Sequence, residues 1–149
     1  MRTHWETVWE FSTARYRVAL EIAPEDSDPA DSFDDAEAIA EIRNDLCAWF
    51  VARVAVYHRE SGLRLGEDYL GGCAYRDVRE FYESHRDPDP LNRNCSIMRA
   101  TCGHNVCIGH YFPDMVVNAV SEARKTLEQM ASAGELLRKS AVNGVLAGA

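Results

Sequence analysis

Residues 5–22 follow a two-residue rhythm. Trp5, Thr7, Trp9 and Phe11 share one parity, and Tyr16, Val18, Leu20 and Ile22 alternate with Arg15, Arg17 and Glu21. Period two in β-branched and aromatic residues predicts two strands, and Ser12-Thr13-Ala14 between them predicts the turn of a half-buried hairpin. The stretch Pro24 to Phe33 has little to bury and reads as a solvated loop. Asp34-Asp35 then offer N-cap chemistry to a helix carrying Ile39, Ile42 and Leu46 at helical spacing. From Trp49 to Tyr57 the pattern returns to strand; Glu60-Ser61-Gly62 turns the chain, and Leu63 to Leu70 runs back until Gly71-Gly72 ends the arm. Val78, Phe81, Tyr82 and His85 fall on one side of a short helix that Asp87-Pro88-Asp89-Pro90 breaks.

A third hairpin is predicted at Ser96 to Ala100 and Val106 to Phe112, around Cys102-Gly103-His104-Asn105. Pro113 opens a longer helix with the stripe Val116, Val120, Ala123, Leu127 and Met130, which Gly134 stops. The order is strand, strand, helix three times over. The expectation is an α+β fold: an antiparallel sheet of about six short strands, in three ββα units, with the helices packed on one face. Residues 1–134 make one domain, and 135–149 form a C-terminal tail, either a short helix or frayed.

Composition narrows the class. With 149 residues, 46% hydrophobic and 27% charged, the chain has the size and make-up of one globular domain. The absence of a long apolar run and of a basic-then-apolar start leads us to expect a cytoplasmic protein with no membrane association. The odd number of cysteines, five, reads as reduced thiols. The net charge of -8 is regional: residues 21–45 hold ten acids and one cation, Arg43. Fifteen bases and fourteen acids share the rest of the chain.

Two clusters could carry function. Cys95, Cys102, His104, Cys107 and His110 are residue types that hold zinc or activate a thiol, although no Cys-x-x-Cys knuckle is present. Zinc is thus the alternative to a chain with no cofactor, and a small zinc- or thiol-dependent domain is the alternative function. No local catalytic signature or phosphate-cradling loop occurs, and no catalytic residue is assigned. The strand aromatics Trp5, Trp9 and Trp49 could stack on bases, but the acidic balance argues against direct nucleic-acid binding. Packing in the core or against a partner suits them better, and as an interface they would make the chain a homodimer or larger structural or accessory homo-oligomer. The acidic stretch supplies the leading partner-binding set: Glu25, Asp26, Asp28, Asp31, Asp34, Asp35, Glu37, Glu41 and Asp45. Such a field docks on a positively charged groove in place of the phosphates the groove ordinarily holds.

The segments Trp-Glu-Thr-Val-Trp-Glu-Phe (5–11), Asp-Tyr-Leu-Gly-Gly-Cys-Ala-Tyr (68–75) and Asp-Pro-Asp-Pro-Leu-Asn-Arg-Asn-Cys-Ser-Ile-Met-Arg-Ala (87–100) resemble a family of small proteins carried by bacteriophages and prophages. The resemblance spans most of residues 3–130. It transfers no active site. It implies a phage or mobile-element setting in the host cytoplasm, and small acidic proteins of that setting often oppose host defence, CRISPR complexes included. The expected partner is therefore a host protein complex with a basic surface.

Overall fold

The computed structural model describes residues 3–86 and 111–147. Four antiparallel strands lie in chain order: β1 (Glu6–Ser12), β2 (Tyr16–Pro24), β3 (Ala48–His58) and β4 (Arg64–Tyr75). The β1–β2 turn closes where Thr13 N–H donates to the Tyr16 carbonyl at 2.8 Å and Tyr16 N–H returns to Thr13 Oγ1 at 3.1 Å. β2 and β3 pair without interruption from Tyr16↔His58 to Pro24↔Phe50. Gly62, at φ 71°, supplies the left-handed residue of the β3–β4 turn.

The expected alternation is present in β2 and β3 and sorts the sheet into two unlike faces, whereas in β1 a register shift between Thr7 and Trp9 breaks the predicted parity, so that Trp9 packs on the core and Trp5 lies over the opposite face. Val18 and Leu20 of β2 and Phe50, Ala52, Val54 and Val56 of β3 point into the hydrophobic core. Two helices close that core: α2 (Val78–Arg86) and α3 (Tyr111–Ala147), with α1 (Ala36–Arg43) lying apart from it. Phe81 of α2 is fully buried, its ring edge-on to Phe50 at 5.6 Å and to Tyr75 at 5.1 Å. Trp9 of β1 meets Phe112 of α3 edge-on at 4.9 Å. α3 crosses β4 at Gly66, where a Cβ would collide with the Ala119 carbonyl and the Ala123 backbone. Small residues on both sides permit that close approach.

Several expectations change in detail. Four strands, not six, occur among the described residues; 96–100 and 106–110 of the third hairpin lie outside them. Tyr111 and Phe112, placed at the end of its second arm, instead open α3, because Phe112 shares one helical face with the buried Met115, Ala119 and Ala123. Pro113, read as the opening residue of this helix, is the third of its described residues. Gly71-Gly72 does not end β4. Leu70 pairs with Ala52 and Cys73 with Phe50, so the two glycines bulge opposite Val51, with Gly72 at φ 65°.

Gly134 does not stop α3 either. The helix runs 37 residues, about 55 Å. A mid-helix glycine costs only about 1 kcal/mol relative to alanine, and Ala133, Glu135, Leu136 and Leu137 beside it are good helix formers. Only the first half packs: every described residue from 128 to 142 is exposed.

The second sheet face lies outside that core, yet it buries a charged pair. Glu21 and Arg53 stand directly opposite on β2 and β3, 7% and 6% exposed. Arg53 Nε donates to Glu21 Oε1 at 3.0 Å, and the Tyr57 hydroxyl donates to the same oxygen at 2.7 Å. Trp5 roofs the pair, its ring 4.0 Å from the guanidinium carbon and edge-on to Tyr69 at 6.0 Å. Further out, Arg17 lies over Tyr57 and pairs with Glu10 at 3.2 Å.

Candidate interaction surface

The acidic stretch begins where Pro24 ends β2. Three of its carboxylates act as local scaffolding. Glu25 accepts the N–H groups of Ser27 at 3.1 Å and Gly72 at 2.9 Å, tying the loop to the β4 bulge. Burial works against its charge, but the Gly72 and Ser27 bonds outweigh it and hold the carboxyl below its ordinary range. Asp28 caps a short 3-10 turn at Pro29–Asp31 by accepting Ala30 N–H at 3.0 Å, and pairs with Arg43 at 2.9 Å. Those two contacts lower its pKa. Asp35 caps α1 through Glu37 N–H at 3.1 Å, which realises the predicted helix start.

Apolar groups anchor this segment to the sheet. Pro29 is buried, the Phe33 ring lies 6.0 Å from that of Trp49, and Trp49 Nε1 donates to the Ser27 carbonyl at 3.3 Å. The other six sequence-predicted residues, Asp26, Asp31, Asp34, Glu37, Glu41 and Asp45, are exposed and form no ion pair among the described residues. Arg43, the cation of the stretch, is engaged by Asp28. Glu21, the tenth acid of the window, is consumed by Arg53 on the sheet.

α1 stops after Arg43 rather than running on to Leu46. Asp45 N–H bonds the Ile42 carbonyl at 3.1 Å and Leu46 N–H the Glu41 carbonyl at 2.9 Å, the paired bonds of a Schellman cap. The left-handed residue of such a cap is usually glycine; here it is Asp45, at φ 57°. The reversal leaves Leu46 70% exposed. It stands at a cleft of about 610 Å³ between α1, the end of β4 and the start of α2. Phe33, Ala38, Ile42, Cys47, Ala74 and Tyr75 supply the apolar lining, and Glu41, Arg76 and Glu80 the polar part. Glu80 is held in place by accepting Arg76 N–H at 2.9 Å, while its own N–H bonds Asp77 at 2.8 Å.

Known proteins offer no guide here. No family model, no curated protein and no solved structure matched the chain. Its surface must be read from its own residues.

The sequence-predicted metal set, Cys95, Cys102, His104, Cys107 and His110, lies outside the described residues. Among the described ones no group of three or more His, Cys, Asp or Glu is placed to hold a metal ion. Two free cysteines are described. Cys73 is buried against the Leu70 carbonyl at 3.3 Å, and burial pushes its thiol up to about 12. Burial and then the Glu41 charge raise Cys47 as well. Neither is the depressed thiol that nucleophilic catalysis uses near neutral pH. No described helix is long and apolar enough to cross a membrane.

Sequence reasoning missed the cleft, because its walls come from four separate segments. It also missed the freed Leu46. The available signal was Asn44-Asp45, two residues tolerant of left-handed backbone, directly after the basic end of α1.

Proposed function

We propose that this chain is a non-enzymatic interaction protein of a phage or mobile element, whose acidic surface occupies a basic, nucleic-acid-binding surface of a host defence complex. The observation that carries the reading is the division of labour among the acids. Glu25, Asp28 and Asp35 are spent on fixing the loop and helix. Asp26, Asp31, Asp34, Glu37, Glu41 and Asp45 are exposed and form no ion pair among the described residues on that fixed frame. Carboxylates on ordered backbone present a field of definite shape, which a solvated acidic loop does not, and lose less entropy on docking. The resemblance to phage-carried proteins supplies the setting, and anti-CRISPR action is the form of antagonism that fits it.

The test uses a variant in which the scaffold acids stay in place: Asp34→Asn, Glu37→Gln and Glu41→Gln together. Wild-type protein is expected to restore phage plaquing on a CRISPR-protected host and to displace target DNA from the purified effector complex in a mobility-shift assay. The triple variant should keep the wild-type circular dichroism and inhibit at least about tenfold less well at low salt, with the difference shrinking as salt screens exposed charge. Equal inhibition by the variant, or wild-type protein that leaves target binding intact, overturns the proposal.

A further inference from the structure

Resting on the reading of the acidic surface as a docking face, we propose that the cleft beside Leu46 takes a bulky apolar side chain flanked by arginine or lysine, presented by a protein partner. Three independent features converge there. The first is shape: a cleft of about 610 Å³ with Phe33, Ile42, Cys47 and Tyr75 in its lining is large enough for an aromatic or leucine side chain. The second is Leu46 itself, 70% exposed at the cleft. In a Schellman cap the residue at this position usually folds back on an apolar residue five positions earlier. That residue here is the charged Glu41, and Leu46 stands exposed in the cleft lining beside Ala38 and Ile42.

The third feature is charge. Glu41 and Glu80 line the cleft, Asp45 adjoins Leu46, and Glu37 lies one turn back along α1. Among the described residues Arg76 is the cation in the lining, and Arg43 is tied to Asp28. A rim with this balance repels phosphate and attracts cations, which selects a basic peptide segment over nucleic acid. An apolar anchor surrounded by complementary charge is the usual division between affinity and steering in protein interfaces. The acidic surface would then bring the basic partner in, and the cleft would choose the residue that docks.

The experiment titrates the ¹⁵N-labelled full chain with three short acetylated peptides, followed by amide chemical shifts. One peptide carries a tryptophan between paired arginines; one has serine in place of the tryptophan; one has glutamine in place of the arginines. The arginine–tryptophan peptide is expected to shift the amides of Leu46, Cys47, Ala74 and Arg76. Both control peptides should bind about tenfold or more weakly, and Leu46→Ser, an exposed substitution that spares the fold, should lose a similar factor for the first peptide alone. Equal binding of the tryptophan and serine peptides, both weakened by Glu37→Gln/Glu41→Gln, overturns the cleft while the acidic docking face stands. Shifts confined to the second sheet face, or the same amides shifting on addition of unlabelled protein, also overturn it, the latter by naming a second copy as the occupant. The plaquing assay judges the acidic surface separately when it is run on Asp26→Asn/Asp31→Asn/Asp34→Asn, exposed acids outside the cleft, which leaves Glu37, Glu41 and Leu46 untouched.

Discussion

Replacing Arg53 by methionine removes a buried charge while keeping a stem of similar length. Arg53 and Glu21 are 6% and 7% exposed, and Glu21 Oε1 takes both the Arg53 Nε and the Tyr57 hydroxyl. Without Arg53 the Glu21 carboxylate stays under Trp5 with one neutral donor. Leaving one member of a buried pair uncompensated costs about 3–5 kcal/mol. In a chain of this size that is roughly a 10 °C fall in Tm. Removing both charges, as Glu21→Leu/Arg53→Met, should return stability to within about 1 kcal/mol of wild type, because the desolvation penalty disappears along with the attraction. The roof supplies a sharper comparison. Trp5→Ala opens the pair to water, and in that background Arg53→Met should cost only about 1 kcal/mol, the value of an exposed pair. Urea denaturation followed by circular dichroism measures these four variants and Glu21→Leu alone. If Arg53→Met costs under about 1 kcal/mol with Trp5 in place, or if the double variant is as damaged as the sum of its singles, the account of a charged pair buried on the second sheet face is wrong.

The packing and titration of the core lead to further expectations. Gly66→Ala should cost about 3 kcal/mol in a thermal melt, because its Cβ meets backbone of α3 rather than a side chain that can turn away. Stability should decline as pH rises from about 9 towards 12. The buried Cys73 thiol holds its proton to about 12 while an unfolded chain releases it near its ordinary value, so the stabilisation is complete below that value and is lost above it. Tyr57, raised by burial and then by Glu21, adds to the decline from about pH 10. Cys73→Ala should flatten the slope of urea midpoint against pH, and an unchanged slope would refute its assignment to this thiol. Deleting residues 135–149 should move Tm by less than about 2 °C, since no described residue beyond 127 is buried; a large fall would mean that the overhanging half of α3 supports the sheet.

What could be read in the chain was what depends on neighbours in sequence. The β1–β2 and β3–β4 hairpins, the Asp35 cap and the buried face of α2 follow from two-residue or helical spacing, and the structure has each of them. Two glycine readings failed for opposite reasons. Gly72 takes positive φ within a continuing strand, which composition cannot distinguish from a strand end. Gly134 needs no special backbone and is carried through by the helix formers around it. Glu21 occupies a polar-parity position of its strand, and its burial with Arg53 comes from Trp5, sixteen residues before it, and Tyr69, sixteen residues after Arg53, which no local pattern links. The spacing of Ile39, Ile42 and Leu46 suits one helical face, yet the helix ends between the second and the third.

That ending supplies the last prediction, because Asp45 is a poor choice for stability alone. A non-glycine residue in the left-handed region is strained, and aspartate tolerates it better than most without matching glycine. Asp45→Gly should therefore stabilise the protein by about 0.5–1 kcal/mol, the relief of the left-handed backbone exceeding the extra freedom glycine has in the unfolded chain. Asp45→Asn, which keeps the tolerance and drops the charge, should leave stability within about 0.5 kcal/mol of wild type. If Asp45 is there for its charge beside Leu46, both variants should weaken the arginine–tryptophan peptide to the same degree although only one of them is more stable. Chemical denaturation and the peptide titration separate the two quantities. A glycine variant that binds as well as wild type would show that the carboxylate contributes nothing to docking and that the strain at the end of α1 serves the cap alone.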